Sequence, residues 1–159
     1  MYGTLRARGG ALSGNGGRIE TSGHWLDVQG MRLDAAAQNG NGGTWLLDPE
    51  DLTIGALPTD AMFIPPGPFA MFASGPGTPT VLNTDIETQL NLGVSVVLQT
   101  APTGTGAGNI TVNANVSKTG GGNAALTLQA IGGIALASGV SISSSSGALD
   151  VNLLAGGGI

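Results

Sequence analysis

The sequence predicts an all-β chain wound as a solenoid, about five or six stacked coils interrupted by one proline-rich excursion. Repetition is the first observation. Ile110-Thr-Val-Asn-Ala-Asn-Val116-Ser returns 24 positions later as Ile134-Ala-Leu-Ala-Ser-Gly-Val140-Ser, and Leu126-Thr-Leu128-Gln returns 23 positions later as Leu149-Asp-Val151-Asn. The second observation is alternation: apolar residues take turns with small polar ones, the period of a half-buried strand and not of a helix. Composition is the third. Hydrophobic residues make up 41% of the chain, charged residues only 9%, and 29 of the 159 residues are glycine. A disordered chain pairs low hydrophobicity with high charge, and this chain does the reverse, so it folds. A repeat of two short strands cannot bury its apolar face alone, so successive coils share one core.

Residues 1–54 read as the N-terminal coils. Thr4-Leu5-Arg6-Ala7, Ile19-Glu20-Thr21, Trp25-Leu26-Asp27-Val28, Met31-Arg32-Leu33-Asp34 and Thr44-Trp45-Leu46-Leu47 are strand candidates, and Gly14-Asn15-Gly16-Gly17 and Gly42-Gly43 supply turns. Residues 55–81 break the pattern, because Pro58, Pro65, Pro66, Pro68, Pro76 and Pro79 cannot donate to a ladder. That insertion also carries Phe63, Phe69 and Phe72, too apolar for a solvated linker and expected to lie on the flank of the solenoid. Residues 82–159 read as the C-terminal coils, one continuous solenoid with the first group. Within them Ile86, Ile110 and Ile134, at intervals of 24, are expected one above another, with Leu126 over Leu149. Asn113, Asn115 and Asn152 are placed to share amide hydrogen bonds between coils.

The run Gly17-Arg-Ile19-Glu-Thr-Ser22-Gly-His24-Trp25-Leu-Asp27-Val, continued as Gly43-Thr-Trp45-Leu-Leu-Asp48-Pro49-Glu-Asp51-Leu-Thr-Ile54, resembles a segment of large bacterial exoproteins of the filamentous haemagglutinin type. Ile86-Glu-Thr-Gln-Leu90, Gly108-Asn-Ile110-Thr-Val112, Leu126-Thr-Leu128 and Ser146-Gly147-Ala-Leu149-Asp-Val151 are similar to the coils that follow it there. The resemblance implies a right-handed parallel β-helix and export by two-partner secretion through an outer-membrane partner transporter. It also implies a secreted location on the outer face of the cell, and a shaft giving reach toward a receptor or glycan on a host or neighbouring cell. It places the secretion domain outside this chain, and both ends are expected to continue into further coils. The hydrophobic insertion departs from the polar one usual in such proteins.

Other functions find less in the residues. The net charge is −5 with five basic residues scattered at Arg6, Arg8, Arg18, Arg32 and Lys118, so no basic stripe meets a row of phosphates and nucleic acid is not expected as a partner. Cysteine is absent, which removes disulfides and thiolate chemistry. No apolar run reaches the roughly 20 residues that span a bilayer. A carbohydrate-cleaving or carbohydrate-binding β-helix is the alternative in another class; it would use Asp27 and Asp34, or Asp48 with Glu50 and Asp51, and Trp25 and Trp45 as sugar platforms. A stalk carrying a contact-dependent toxin is a third reading. His24 has no nucleophile partner in sequence, and Gly14-Asn15-Gly16-Gly17 is followed by Arg18 and Ile19 where a calcium repeat needs aspartate. The expectation is a non-enzymatic protein without metal or cofactor, its contact surface formed by Phe63, Phe69, Phe72, Trp25 and Trp45.

Overall fold

A computed structural model describes residues 3–23, 28, 31–56, 79–100 and 106–159. Its strands are β1 (Gly3–Arg6), β2 (Arg18–Ser22), β3 (Met31–Asp34), β4 (Thr44–Asp48), β5 (Leu52–Gly55), β6 (Thr80–Leu82), β7 (Ser95–Gln99), β8 (Ile110–Val112), β9 (Val116–Lys118), β10 (Ala124–Ala130), β11 (Ile134–Leu136), β12 (Ile142–Ser144) and β13 (Leu149–Ala155), with one helix, α1 (Asn83–Asn91). Every strand pairing is parallel, and the strands stack as a β-solenoid of about five turns.

The first face is one continuous sheet in the order β13-β10-β7-β4-β2. Its register places Ile19, Trp45, Val96, Leu126 and Val151 in one column, and Thr21, Leu47, Leu98, Leu128 and Leu153 in the next. The two columns point inward because side chains alternate along a strand, and the first four members of each are buried. The second face, β11-β8-β5-β6, stacks Leu52, Ile110 and Ile134 beside Ile54, Val112 and Leu136. Fully buried residues of this size each contribute about 1.5–3 kcal/mol.

The second face also shows where the chain steps back. Strand β5 lies between β8 and β6, so the chain leaves β5, returns as β6 on the side away from β8, and only then climbs through α1 to lay β7 on β4. The Pro/Phe-rich stretch 57–78 lies outside the described residues, as do residues 101–105 and His24, Trp25 and Asp27. Flanking it, Leu52–Gly55 and Thr80–Leu82 are strands, so the ladder reaches into both ends of the 55–81 segment.

The third face, made of the pairs β1-β3 and β9-β12 with α1, corrects the expected isoleucine column. Ile86 is buried, but in α1 and not above Ile110; Leu52 takes that place. A spacing of 24 was shared by accident, because the insertion shifts the repeat and pairs Leu52 with Ile110. Ile86 and Leu90 stand one helical turn apart and face the core together. Leu92 closes the helix, and Gly93 follows at φ +72°, its N–H donating to Leu90 O at 3.0 Å. Leu126 and Leu149 are a smaller correction: Leu126 pairs with Val151 and Leu149 with Ala124. The two-residue slip keeps the inward parity, and Leu149 is only half-buried because β13 is the last strand of its sheet.

Corners are stitched by asparagine. The Oδ1 atoms of Asn15, Asn109, Asn115 and Asn123 accept the backbone N–H of Asn41, Gly133, Ser141 and Ala148, each one coil on, at 2.7–3.0 Å. Asn115 was expected in this role, and Asn152 donates to Thr127 Oγ1 at 3.3 Å. Asn113 is exposed, and its backbone N–H donates to Ile54 O. Coils pack closely here: a Cβ on Gly42 would stand 2.0 Å from Gly93 O.

Ile110→Ala should cost about 2–5 kcal/mol in urea unfolding, because both neighbours in its column are fixed strands. Leu136→Ala, 39% exposed on the last coil, should cost about 1 kcal/mol or less. Equal losses would mean that the buried column is not what holds the coils together.

Candidate functional site

On the third face β3 pairs with β1, and β9 with β12, but α1 lies between the two pairs. A helix has no free backbone edge to offer a strand, so its side chains take over. Glu87 Oε1 accepts the N–H of Ser117 at 2.8 Å, and Asn91 Oδ1 accepts those of Thr119 and Gly120 at 2.8 and 2.9 Å. Asn83 Nδ2 donates to Asn115 O at 2.8 Å. Toward β3 one bond is made, from Gln89 Nε2 to Leu33 O at 3.4 Å. The four polar residues of α1 therefore imitate a strand.

Beside this weaker join is a cleft of about 280 Å³, lined by Val28, Met31, Arg32, Leu33, Trp45, Asp85, Thr88 and Gln89. Gln89 Oε1 is buried there without a hydrogen-bond partner, shut away from solvent and so closed to a bound molecule as well. Burial holds the Asp85 carboxyl above its ordinary 3.8.

Trp45 was expected on a contact surface, and the structure corrects this. It is 1% exposed, packed between Ile19 and Val96, with Nε1 donating to Thr21 Oγ1 at 3.1 Å. A buried indole that has already found its acceptor offers no face to a sugar. Trp25, Phe63, Phe69 and Phe72 lie outside the described residues.

The acids are separated by their tasks. Asp34 accepts from Ala36 N at 3.4 Å and lies 3.5 Å from Arg8 Nε, while Asp51 Oδ1 takes the N–H of Asn109 at 2.7 Å across the corner. Asp48 has its carboxyl raised above 3.8, first by burial and then by the charge of Glu20 on the preceding coil. Glu20 is itself held by Arg18 at 3.1 Å and by Ser22 Oγ at 2.9 Å. Among the described residues no three side chains of the metal-binding kinds gather.

Lys118 is the residue that sequence reasoning passed over. It is fully buried, and its Nζ donates to Gly120 O at 2.7 Å, to Gly121 O at 3.4 Å and to Ser146 O on the next coil. Three carbonyl oxygens match the three protons of an ammonium group. A lysine at an inward strand position followed by a glycine run was the signal for it in the sequence.

No protein-family model and no curated protein matches the chain in sequence.

Lys118→Met should destabilise by about 2–4 kcal/mol, because the three carbonyls lose a charged donor together. Asn91→Ala should cost about 2 kcal/mol and speed hydrogen exchange at Thr119 and Gly120, the amides that lose their acceptor. For Asp85 the sign is fixed by its raised folded-state value. The native state holds its proton to higher pH than the unfolded chain, so this carboxyl lowers stability as pH rises from 3.8 through that value. Asp85→Asn should then raise Tm at neutral pH, with the gain vanishing in acid; a gain constant with pH would contradict this.

Proposed function

We propose that the chain is a shaft segment of a large secreted, surface-associated bacterial adhesin, a non-enzymatic element that gives reach and display. The observation that carries this reading is the unbroken first face, five parallel strands in register whose inward columns run the length of the stack. Each coil adds about 4.8 Å of rise, so five coils make a rod of about 25 Å that could be lengthened by repetition alone. Strands β11, β12 and β13 are edge strands of their sheets, and there Leu136 and Val151 of the inward columns are 39% and 41% exposed, an apolar surface on that side of the stack.

Further support comes from what the polar groups do. Asp34, Asp51, the corner asparagines and Lys118 are all engaged in joining turns and coils, which is the work of a scaffold. The resemblance of Gly17–Ile54 and of the later coils to haemagglutinin-type exoproteins supplies the location and the contact role. No helix among the described residues is long and apolar enough to cross a membrane.

Antibody raised against the purified chain should label intact, unpermeabilised cells of the bacterium that produces it. Deleting the coding region should reduce adherence to host or neighbouring cells. Label found only after lysis would refute the surface role, and unchanged adherence would refute the contact role.

A further inference from the structure

Asparagine followed by glycine occurs three times, at Asn15-Gly16, Asn39-Gly40 and Asn41-Gly42, all in corner turns of the first coils. In this dipeptide the glycine nitrogen, with no Cβ beside it, can swing round to attack the preceding side-chain amide. The fold treats the three unequally. At Asn15 both reacting groups are engaged: Oδ1 accepts Asn41 N at 2.9 Å, and Gly16 N donates to Asn41 O at 2.9 Å. At Asn41 the main-chain N–H and C=O are held by those same two bonds, and Gly43 N donates to Ala35 O at 2.8 Å, so the backbone on both sides of the dipeptide is fixed, although the Gly42 N–H itself makes no hydrogen bond. Asn39 is exposed in a bend, Gly40 is exposed beside it with its N–H in no hydrogen bond, and the one tie of Asn39 is Nδ2 to Ala11 O at 2.8 Å.

We propose that Asn39 is a site of spontaneous deamidation, selected from the three by the absence of backbone bonds around it. The nitrogen of Gly40 loses its proton to solvent base and bonds to Cγ of Asn39. The Cγ–Nδ2 bond breaks, and ammonia leaves with a proton returned from solvent, closing a succinimide. Water then adds to one of the two ring carbonyls and opens it to aspartate or isoaspartate. The sum is one water consumed and one ammonia released, with no change of oxidation state.

The product cannot make the bond it replaces. Nδ2 donates to the Ala11 carbonyl, whereas a carboxylate has only acceptors, so the tie between the turn at 38–40 and the bend at 11–13 is lost. Nor can a side chain at residue 40 relieve the hazard, since a Cβ there would lie 2.4 Å from Gly14 O. The labile dipeptide is fixed by the packing of one coil on the next.

The test is to incubate the native chain at mildly alkaline pH, map the peptides by mass spectrometry with fragment ions separating Asn39 from Asn41, and count isoaspartate by enzymatic methylation. Asn39 should convert at least about tenfold faster than Asn15 or Asn41, and the three rates should converge in denaturing urea. Equal native rates, a faster Asn15 or Asn41, or a preference that persists in urea would overturn the proposal. Asn39→Gln should remove the fast conversion. Asn39→Asp should quicken hydrogen exchange around residues 11–13, and unchanged exchange would refute the loss of the tie.

Discussion

Each coil of this protein depends on its neighbours for partners to its backbone N–H and C=O groups. A single coil satisfies almost none of them internally, so parallel pairing with the layer above and below is what makes burial of the apolar columns affordable. The first face meets that requirement through an uninterrupted five-stranded sheet, and the second through four strands. The third face fails to meet it with backbone alone. There the helix intervenes, and Glu87, Asn91, Asn83 and Gln89 supply oxygens and nitrogens at the places where a strand would have presented peptide groups. The helix is tolerated because those side chains complete the ladder.

The same demand explains the polar residues elsewhere. Turns leave amides at the corners that no strand can reach, and one asparagine per corner covers the amide of the following coil. Lys118 solves the converse problem at a glycine-rich corner where carbonyl oxygens converge. Charged residues make up only 9% of the chain, and an interior held by alternation and backbone pairing needs no more.

Much of the architecture was legible in the sequence because alternation and repetition are local and periodic. Ile110 over Ile134 could be read directly, and so could the strands around Ile19, Trp45, Leu126 and Leu149. The pairing of Leu126 with Val151 could not, since two registers two residues apart bury the same face. Helix α1 was hidden for another reason. Ile86-Glu-Thr-Gln-Leu90 fits a strand repeat by position and a helix by its spacing of four, and only the insertion, by displacing the coil boundary, decides between them. Trp45 shows the limit on the functional side: an aromatic on a strand is core or platform according to the face it occupies, and its face follows from register with Ile19 and Val96. Lys118 was missed because its inward strand position and the glycine run after it only hint at an enclosed ammonium, while the third carbonyl, Ser146 O, comes from the next coil and is set only by the stacking.

The enclosure of Lys118 reaches beyond its own corner. It is the sole basic side chain after Arg32, and it has no exposed surface. A protease that cuts after lysine or arginine therefore finds no accessible site from Leu33 to Ile159 while the coils are wound. Reagents and enzymes that acylate lysine meet the same closed surface, so four-fifths of the chain is chemically silent toward the commonest attacks on basic residues.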